Sequence, residues 1–503
     1  MHKFRRLLLT FGLLFIPSVS FFGQNGISQS RLSYDIEAVA VAGKGTYAPL
    51  WFTANRYGLS GVANKFASLS AEVTYSQPLR RDWKVGVGLE LAGTWHEMSP
   101  FVVQQAYAEV GWRRLKLSIG SKERQGFPLE RNTALSSGTM VEGPGARPIP
   151  QVRAEISDFA PVPFTHDWLW LKGHVAYGIQ TDGNWQRDFA TPGEYYSRNV
   201  LYHSKSVLFK VGDKARFPLE FEFGILMAAQ FGGNQYRRGA NGESDVLTFD
   251  MPNGIKNFLH ALFPTRGGAD TPPGDQVNVE GNQLGSWNFA LGWTTGSWRV
   301  RVYLEHYFED HSQMFWEYGR WKDGLIGVQV DLPKNRFVSS VVWEGLCTKD
   351  QTGPLLFDGY ASQFPEYQVS ANDNYYNHFY YGGWFHWGQA MGNPLLISPA
   401  YNRDGTLEFK SNRVRAGHFG IEGHPADGVG YRALVSVACH WGTYYKPLDR
   451  RRRQFSSLFE VSYSPPRFAG WTVTGSLGID RGSYLGNNTG IMLSVSKTGI
   501  LLK

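Results

Sequence analysis

The densest run of chemistry-bearing side chains lies between residues 372 and 403. It reads Asn372, Asp373, Asn374, Tyr375, Tyr376, Asn377 and His378, followed by Tyr380, Tyr381, Trp384, His386, Trp387 and Gln389. Recognition of a sugar needs two kinds of group. Flat aromatic faces stack on the apolar C–H side of the ring. Short carboxylate, amide and imidazole side chains hydrogen-bond to the hydroxyls. This segment supplies both, so Asp373 to His378 together with Trp384, His386 and Trp387 form the first candidate glycan-binding group. The same composition also suits a loop whose rings pack on one another, and a loop folded in that way can still bind.

A second group is the run Arg450, Arg451, Arg452 and Arg453, expected on a loop spanning 443–454. Clustered guanidiniums pair with uronate carboxylates or with the phosphates of lipopolysaccharide. A solvated hairpin tip with no specific partner is the plainer reading. A third group, Glu305, His306, Glu309, Asp310 and His311, mixes carboxylates and imidazoles as metal sites and glycosidases do. Strand alternation puts Glu305 and His306 on opposite faces, so the simpler expectation is a charge ladder with Arg299 and Arg301 inside a barrel. No metal, cofactor or catalytic set is expected. The chain shows no nucleophile–His–Asp signature, phosphate-cradling glycine loop or paired CxxC motif. The segment Gly143 to Pro148 reads as a turn-rich lead-in to a strand.

These groups need elements to hold them, and composition narrows the choice. The chain has 503 residues, of which 15% are aromatic and only 18% charged, with 58 glycines and two cysteines. Mean hydropathy is −0.31. Few charges and many aromatics exclude disorder. The absence of a long apolar run after the first 22 residues excludes helical membrane spans. Fifty basic against 43 acidic residues leave a net charge of +7, too mild to favour nucleic acid. The N-terminus reads as a secretory signal, with basic Lys3, Arg5 and Arg6, apolar Leu7 to Ile16, and cleavage after Ser20 or Gly23. The rest, 24–503, reads as one domain.

Period-2 alternation recurs along that domain. Trp83, Val85, Val87, Leu89 and Leu91 alternate with Lys84, Gly86, Gly88, Glu90 and Ala92. Strands are expected near 31–40, 67–76, 83–92, 101–110, 113–120, 149–157, 168–180, 203–211, 217–230, 285–294, 298–308, 322–330, 337–347, 411–423, 431–442, 455–463, 470–480 and 489–497. The gaps between them sort into a short set and a mostly long set in alternation. A sandwich has no reason to sort its loops; a transmembrane β-barrel does, with short periplasmic turns and long outer loops. The expected fold is therefore all-β, an antiparallel transmembrane barrel of about 18 strands with both termini on the periplasmic side. Trp83, Trp112, Trp168, Trp298 and Trp471 sit at strand ends, as interfacial girdles require. The stretch 266–285 is expected to be a flexible outer loop.

The sequence also resembles the Wzi family of capsule-assembly outer-membrane proteins, in its Bacteroidetes form. The matching stretches run from Pro49 to Gly58, Leu135 to Met140, Ala146 to Pro150, Leu201 to His203, Glu305 to Asp310, and Asp323 with Gly324. They continue from Tyr375 through Gly383 and Trp384 to Pro394, and to Asn412 and Arg413. The order of the stretches carries the resemblance, which extends over nearly the whole mature chain. It implies a non-enzymatic, lectin-like barrel that retains capsular polysaccharide or exopolysaccharide at the cell surface. Outer-membrane lipid and lipopolysaccharide would surround it, and a monomer is favoured. One departure is the C-terminus, Leu501-Leu502-Lys503, where many barrels end in an aromatic residue. The competing reading is a porin or sugar-specific channel, because a barrel this wide conducts unless its loops fill it.

Overall fold

The computed structural model describes residues 30–96, 99–212, 217–240, 243–277, 279–310, 314, 322–351 and 373–502. The signal segment 1–23, His311 and Asn372 lie outside the described residues. In chain order the barrel strands are β1 (Arg31–Lys44), β2 (Lys65–Pro78), β3 (Trp83–Trp95), β4 (Phe101–Trp112), β5 (Leu115–Ser121) and β6 (Gln151–Pro161). Next come β7 (Leu169–Ile179), β8 (Leu201–Val211), β9 (Leu219–Phe231), β10 (Asn282–Thr295), β11 (Trp298–Glu309) and β12 (Gly324–Asp331). The last six are β13 (Ser340–Cys347), β14 (Val414–Ala426), β15 (Val429–Gly442), β16 (Pro447–Tyr463), β17 (Trp471–Gly482) and β18 (Asn488–Leu502).

Every strand pairs antiparallel with its successor, and β18 closes on β1 from Leu32 opposite Leu502 to Lys44 opposite Thr489. The result is an 18-stranded closed barrel. Closure matters physically, because it leaves no strand edge with unpaired backbone groups. Each expected strand is present, with ends shifted by a few residues. One end of the barrel carries only short connections, such as 113–114, 296–297 and 427–428. The other carries 45–64, 122–150, 180–200, 232–281 and 348–413.

Side-chain alternation is turned inside out relative to a soluble sandwich. Leu69, Val87, Ile119, Val302, Phe459, Leu477 and Ile491 are exposed on the outer wall. Their neighbours Glu90, Ser118, Arg301, Glu305, Ser476 and Asp480 are buried in the lumen. Trp83, Trp112, Trp168, Trp298 and Trp471 are all exposed and all stand at the short-turn end, where they form an aromatic ring around the wall. Glycines on the wall seat tyrosines. A Cβ at Gly88 would lie 2.4 Å from the Tyr107 ring opposite it, and one at Gly327 would lie 2.3 Å from Tyr303.

The apolar core lies inside the lumen and is built largely from loops. Leu50, Trp51, Phe52, Leu135, Leu395 and Ile397 form one cluster. Met140, Val141, Tyr375, Tyr376, Trp384 and Phe385 pack with Tyr303 and Tyr307 of β11 in a second.

Three expectations are corrected here. The run Arg450 to Arg453 is not on a loop: β16 begins at Pro447, and Arg452 and Arg453 pair with His440 and Cys439 of β15. The Gly143–Pro148 segment is not merely a lead-in to β6. Gly143 donates its backbone N–H to the Met391 carbonyl at 2.7 Å, so it is part of the lumenal filling. The stretch 266–285 contains a short helix, Pro273–Val277, whose Asp275 is buried and accepts the Gly281 N–H at 2.8 Å.

Candidate functional site: a plugged lumen and its outer face

Two buried carboxylates of the barrel wall hold the loop 122–150 in place. Glu344 of β13 accepts hydrogen bonds from Ser136 Oγ (2.6 Å), Ser137 N (2.7 Å), Ser137 Oγ (2.5 Å) and Tyr303 Oη (2.6 Å). Glu305 of β11 accepts from Arg131 Nη2 at 2.5 Å and from Met140 N at 2.9 Å. Arg131 is fully buried and also faces Glu344, with Nη1 3.8 Å from the carboxylate. A third carboxylate, Glu309, accepts the Tyr376 N–H at 2.6 Å and so holds the loop 348–413. Buried charges of this kind persist only when paired and hydrogen-bonded, and here the bonds from Arg131, Ser136, Ser137, Met140 and Tyr376 each join a loop to a strand. The expected charge ladder is therefore present: Arg301 bonds Glu222 at 2.8 Å and Arg299 bonds Glu130 at 3.1 Å. Its partners on the loop were not legible, because nothing in the sequence marks residues 122–150 as lumenal.

From 373 to 413, the described part of the loop 348–413 then folds onto that first plug. Tyr376 Oη donates to the Met140 carbonyl. Trp384 Nε1 donates to the Val141 carbonyl at 2.7 Å. His386 pairs through Nδ1 with the Arg147 carbonyl at 2.8 Å, while Nε2 accepts the Thr181 N–H at 3.1 Å. Burial holds the His386 imidazole below its usual pKa. The candidate glycan residues thus divide. Tyr375, Tyr376, Trp384 and His386 are buried with no ring face open to solvent, and Asn377 is nearly so. Asn377 makes a two-way bond with the backbone of Phe409, at 2.8 and 3.0 Å. Asp373 and Asn374 are half-buried; Asn374 Oδ1 accepts from Asn412 Nδ2 at 2.7 Å. His378 is half-buried beside Tyr381.

What the loop does present outward is Trp387 and its neighbourhood. The indole is partly exposed and lies over the Arg147 guanidinium at 4.5 Å. Its backbone N–H is held by Asp182 Oδ2 at 2.9 Å. Burial pushes the Asp182 carboxyl up, against the opposing pull of His386. A second group of rings lies on the same end: Phe379 (65% exposed), Tyr195 at 5.5 Å from it, then Tyr380 and Phe249. Open rings next to exposed polar groups are what sugar stacking needs. Sequence reasoning missed Arg147, Asp182, Tyr195 and Phe379. The Tyr195–Tyr196 pair in the connection 180–200 is the signal that could have found one of them.

Arg450 to Arg453 stand apart from this surface, on the protruding part of β16. Arg450, Arg451 and Arg453 are exposed, and Arg452 bonds Asp449 at 2.8 Å. Arg451 and Arg453 are on the outer side of the strand, in line with the exposed apolar Phe455 and Phe459. Among the described residues no group of three or more His, Cys, Asp or Glu side chains is placed to hold a metal ion.

Neither a protein-family model nor a curated sequence matches this chain. Solved structures do. Wzi of Escherichia coli is described as an outer-membrane protein involved in group 1 capsule assembly and a carbohydrate-binding β-barrel. It superposes with a TM-score of 0.57 at 15% identity, covering 92% of this chain and 83% of its own. OprD of Pseudomonas aeruginosa gives a TM-score of 0.47 at 8% identity, with 95% and 99% covered. OccAB4 of Acinetobacter baumannii gives 0.46 at 8% identity, with 94% and 99% covered. At these identities the likeness is one of fold.

Proposed function

We propose that this chain is a capsule-assembly barrel of the Wzi kind. In this reading it resides in the outer membrane with its long loops toward the cell surface, and it holds surface polysaccharide there as a lectin. Lipid and lipopolysaccharide contact its wall. Delivery depends on the signal segment, and binding involves no catalytic step or cofactor. One observation carries this: the lumen is filled by loops that are ion-paired to the wall through Glu305 and Glu344, and the outer layer of that filling exposes Trp387, Phe379 and Tyr195. A filled lumen favours a surface-binding task over diffusion through the pore. The resemblance in sequence order to the Wzi family and the carbohydrate-binding description of the E. coli Wzi barrel support the same reading.

The test has two arms. Purified protein in planar bilayers should show no large stable conductance, and it should bind capsule prepared from its own strain. Large open-channel currents with no capsule binding would replace this reading with the porin one. On cells, deletion should release polymer into the medium while its synthesis continues.

A further inference from the structure

Below the first plug the lumen is not full. A cavity of about 790 Å³ lies between the loop 122–150 and the wall formed by β5–β8, β11 and β12. It reaches Lys116, Arg299 and Asp331, which stand at the short-turn ends of their strands. Its volume is in the range of ligand sites rather than of packing defects.

Its charges are unbalanced in a specific way. Glu130 alone faces three cations, Arg299 at 3.1 Å, Arg301 at 3.7 Å and Lys210 at 3.9 Å. Glu155 faces two, Arg153 at 2.7 Å and Lys116 at 3.6 Å. Lys172 has no carboxylate within 4 Å among the described residues; its ammonium lies 4.8 Å over the Phe159 ring, which Lys210 also faces at 4.5 Å. Arg124 is held by the Ser118 hydroxyl and the Lys122 carbonyl, not by an acid. Two more guanidiniums line the cavity, those of Arg131 and Arg301, and both are already buried against carboxylates, Glu305 at 2.5 Å and Glu222 at 2.8 Å. A smaller cavity of about 80 Å³ shares Lys122, Arg124 and Arg153 and continues to Arg147, beneath Trp387. A file of cations thus runs from the short-turn end to the outer face. Carboxylates line the cavity as well, namely Glu130, Glu142, Glu155, Asp158 and Asp331, but eight lysines and arginines outnumber these five.

We propose that this cavity is a binding site for an acidic saccharide that enters from the short-turn end. Its carboxylates pair with Lys172 and Arg124, lining cations that no carboxylate holds within 4 Å among the described residues. The cations are strung along the wall rather than aimed at one point, which suits several charges on an extended ligand better than a single small anion. The saccharide part rests on the proposed function; the anion part does not. The site is separate from the outer aromatic surface and lies on the other side of the plug.

The test is calorimetry on the full chain in detergent with oligogalacturonate of three or four units, maltotriose and inorganic sulfate as probes. Oligogalacturonate should bind and weaken steeply with added salt, and maltotriose should not bind. The double variant Lys172→Gln with Arg124→Gln should weaken binding at least tenfold, and Lys172→Arg should keep it. Folding is read separately from the heat-dependent mobility shift of closed barrels in detergent gels. Equal binding of maltotriose, or binding untouched by the double variant in a folded barrel, would overturn the proposal. Sulfate binding as tightly as oligogalacturonate would reduce the site to an adventitious ion only. If Phe379→Ala with Tyr195→Ala abolishes the binding while the lumenal variant does not, the outer-face reading stands and this one falls.

Discussion

Replacing Arg131 with Met is the sharpest test of how the lumen is held shut. The guanidinium is fully buried, donates to Glu305 at 2.5 Å and faces Glu344 at 3.8 Å. Methionine fills most of the same space but leaves Glu305 with only the Met140 N–H. Glu344 loses its one cationic neighbour but keeps four hydrogen bonds. Removing one member of a buried pair costs about 3–5 kcal/mol, because the partner is left charged and unpaired. At about 1.4 kcal/mol per tenfold, the undocked state of the loop should rise by a factor of about 10² to 4 × 10³. The cost falls on loop docking rather than on the strand ladders, which the substitution does not touch. Hydrogen exchange reads this directly. The amides of Ser137 and Met140, both bonded to these carboxylates, should lose about two to three and a half orders of magnitude of protection, while amides in β3 and β17 keep theirs. Brief channel openings should appear in bilayers, against none expected for the unmodified protein. Unchanged protection at both amides would refute the idea that Arg131 fastens the plug.

Three further outcomes follow from the same geometry. Trp384→Ala should destabilise docking of the second loop by about 3–5 kcal/mol, since a buried indole and its bond to Val141 are both lost; Trp387→Ala should leave docking intact and weaken only glycan binding, a contrast that limited proteolysis and capsule binding measure together. Burial pushes the Asp275 carboxyl up to about 7, so its contribution to loop stability is full below the ordinary carboxylate range and is lost as pH rises through about 7. Proteolysis near residues 265–281 should therefore be faster at pH 8 than at pH 5, and Asp275→Asn should flatten the difference. Arg451→Gln with Arg453→Gln should reduce retention of lipopolysaccharide on purified protein without changing capsule binding, and co-purified phosphate measures it.

The barrel was legible because its signal repeats. Alternation over strands such as β3 and β17, and the sorting of short and long gaps, are local patterns that survive errors of a few residues at each end. The first plug loop, 122–150, was not legible, because its evidence is non-local. Glu305 and Glu344 show up as polar residues at lumenal positions, yet what they accept from is Arg131, Ser136, Ser137 and Met140, far away in sequence. The aromatic segment 375–387 was noticed for its composition, which is the same whether rings face a ligand or each other. Burial decided between them ring by ring: Trp384 went inward and Trp387 outward. Arg450 to Arg453 were placed on a loop because charge runs are usually solvated tips. In a strand that projects past its neighbours there is no core to conflict with them, so they are tolerated as strand residues.

Seating one arginine between β11 and β13 also sets a requirement on the whole circumference. The Arg131 guanidinium reaches Glu305 of β11 at 2.5 Å and Glu344 of β13 at 3.8 Å across the intervening β12, so its contacts are sensitive to the register and curvature of the wall there. The ring of strands is completed by its first and last members, so closure waits for the end of the chain. A ring closed one hairpin short, or slipped in register, would bend differently and leave a bare charge in its interior. The plug is thus a gauge of correct assembly as well as a stopper, and miscounted barrels should be the ones that proteases find first.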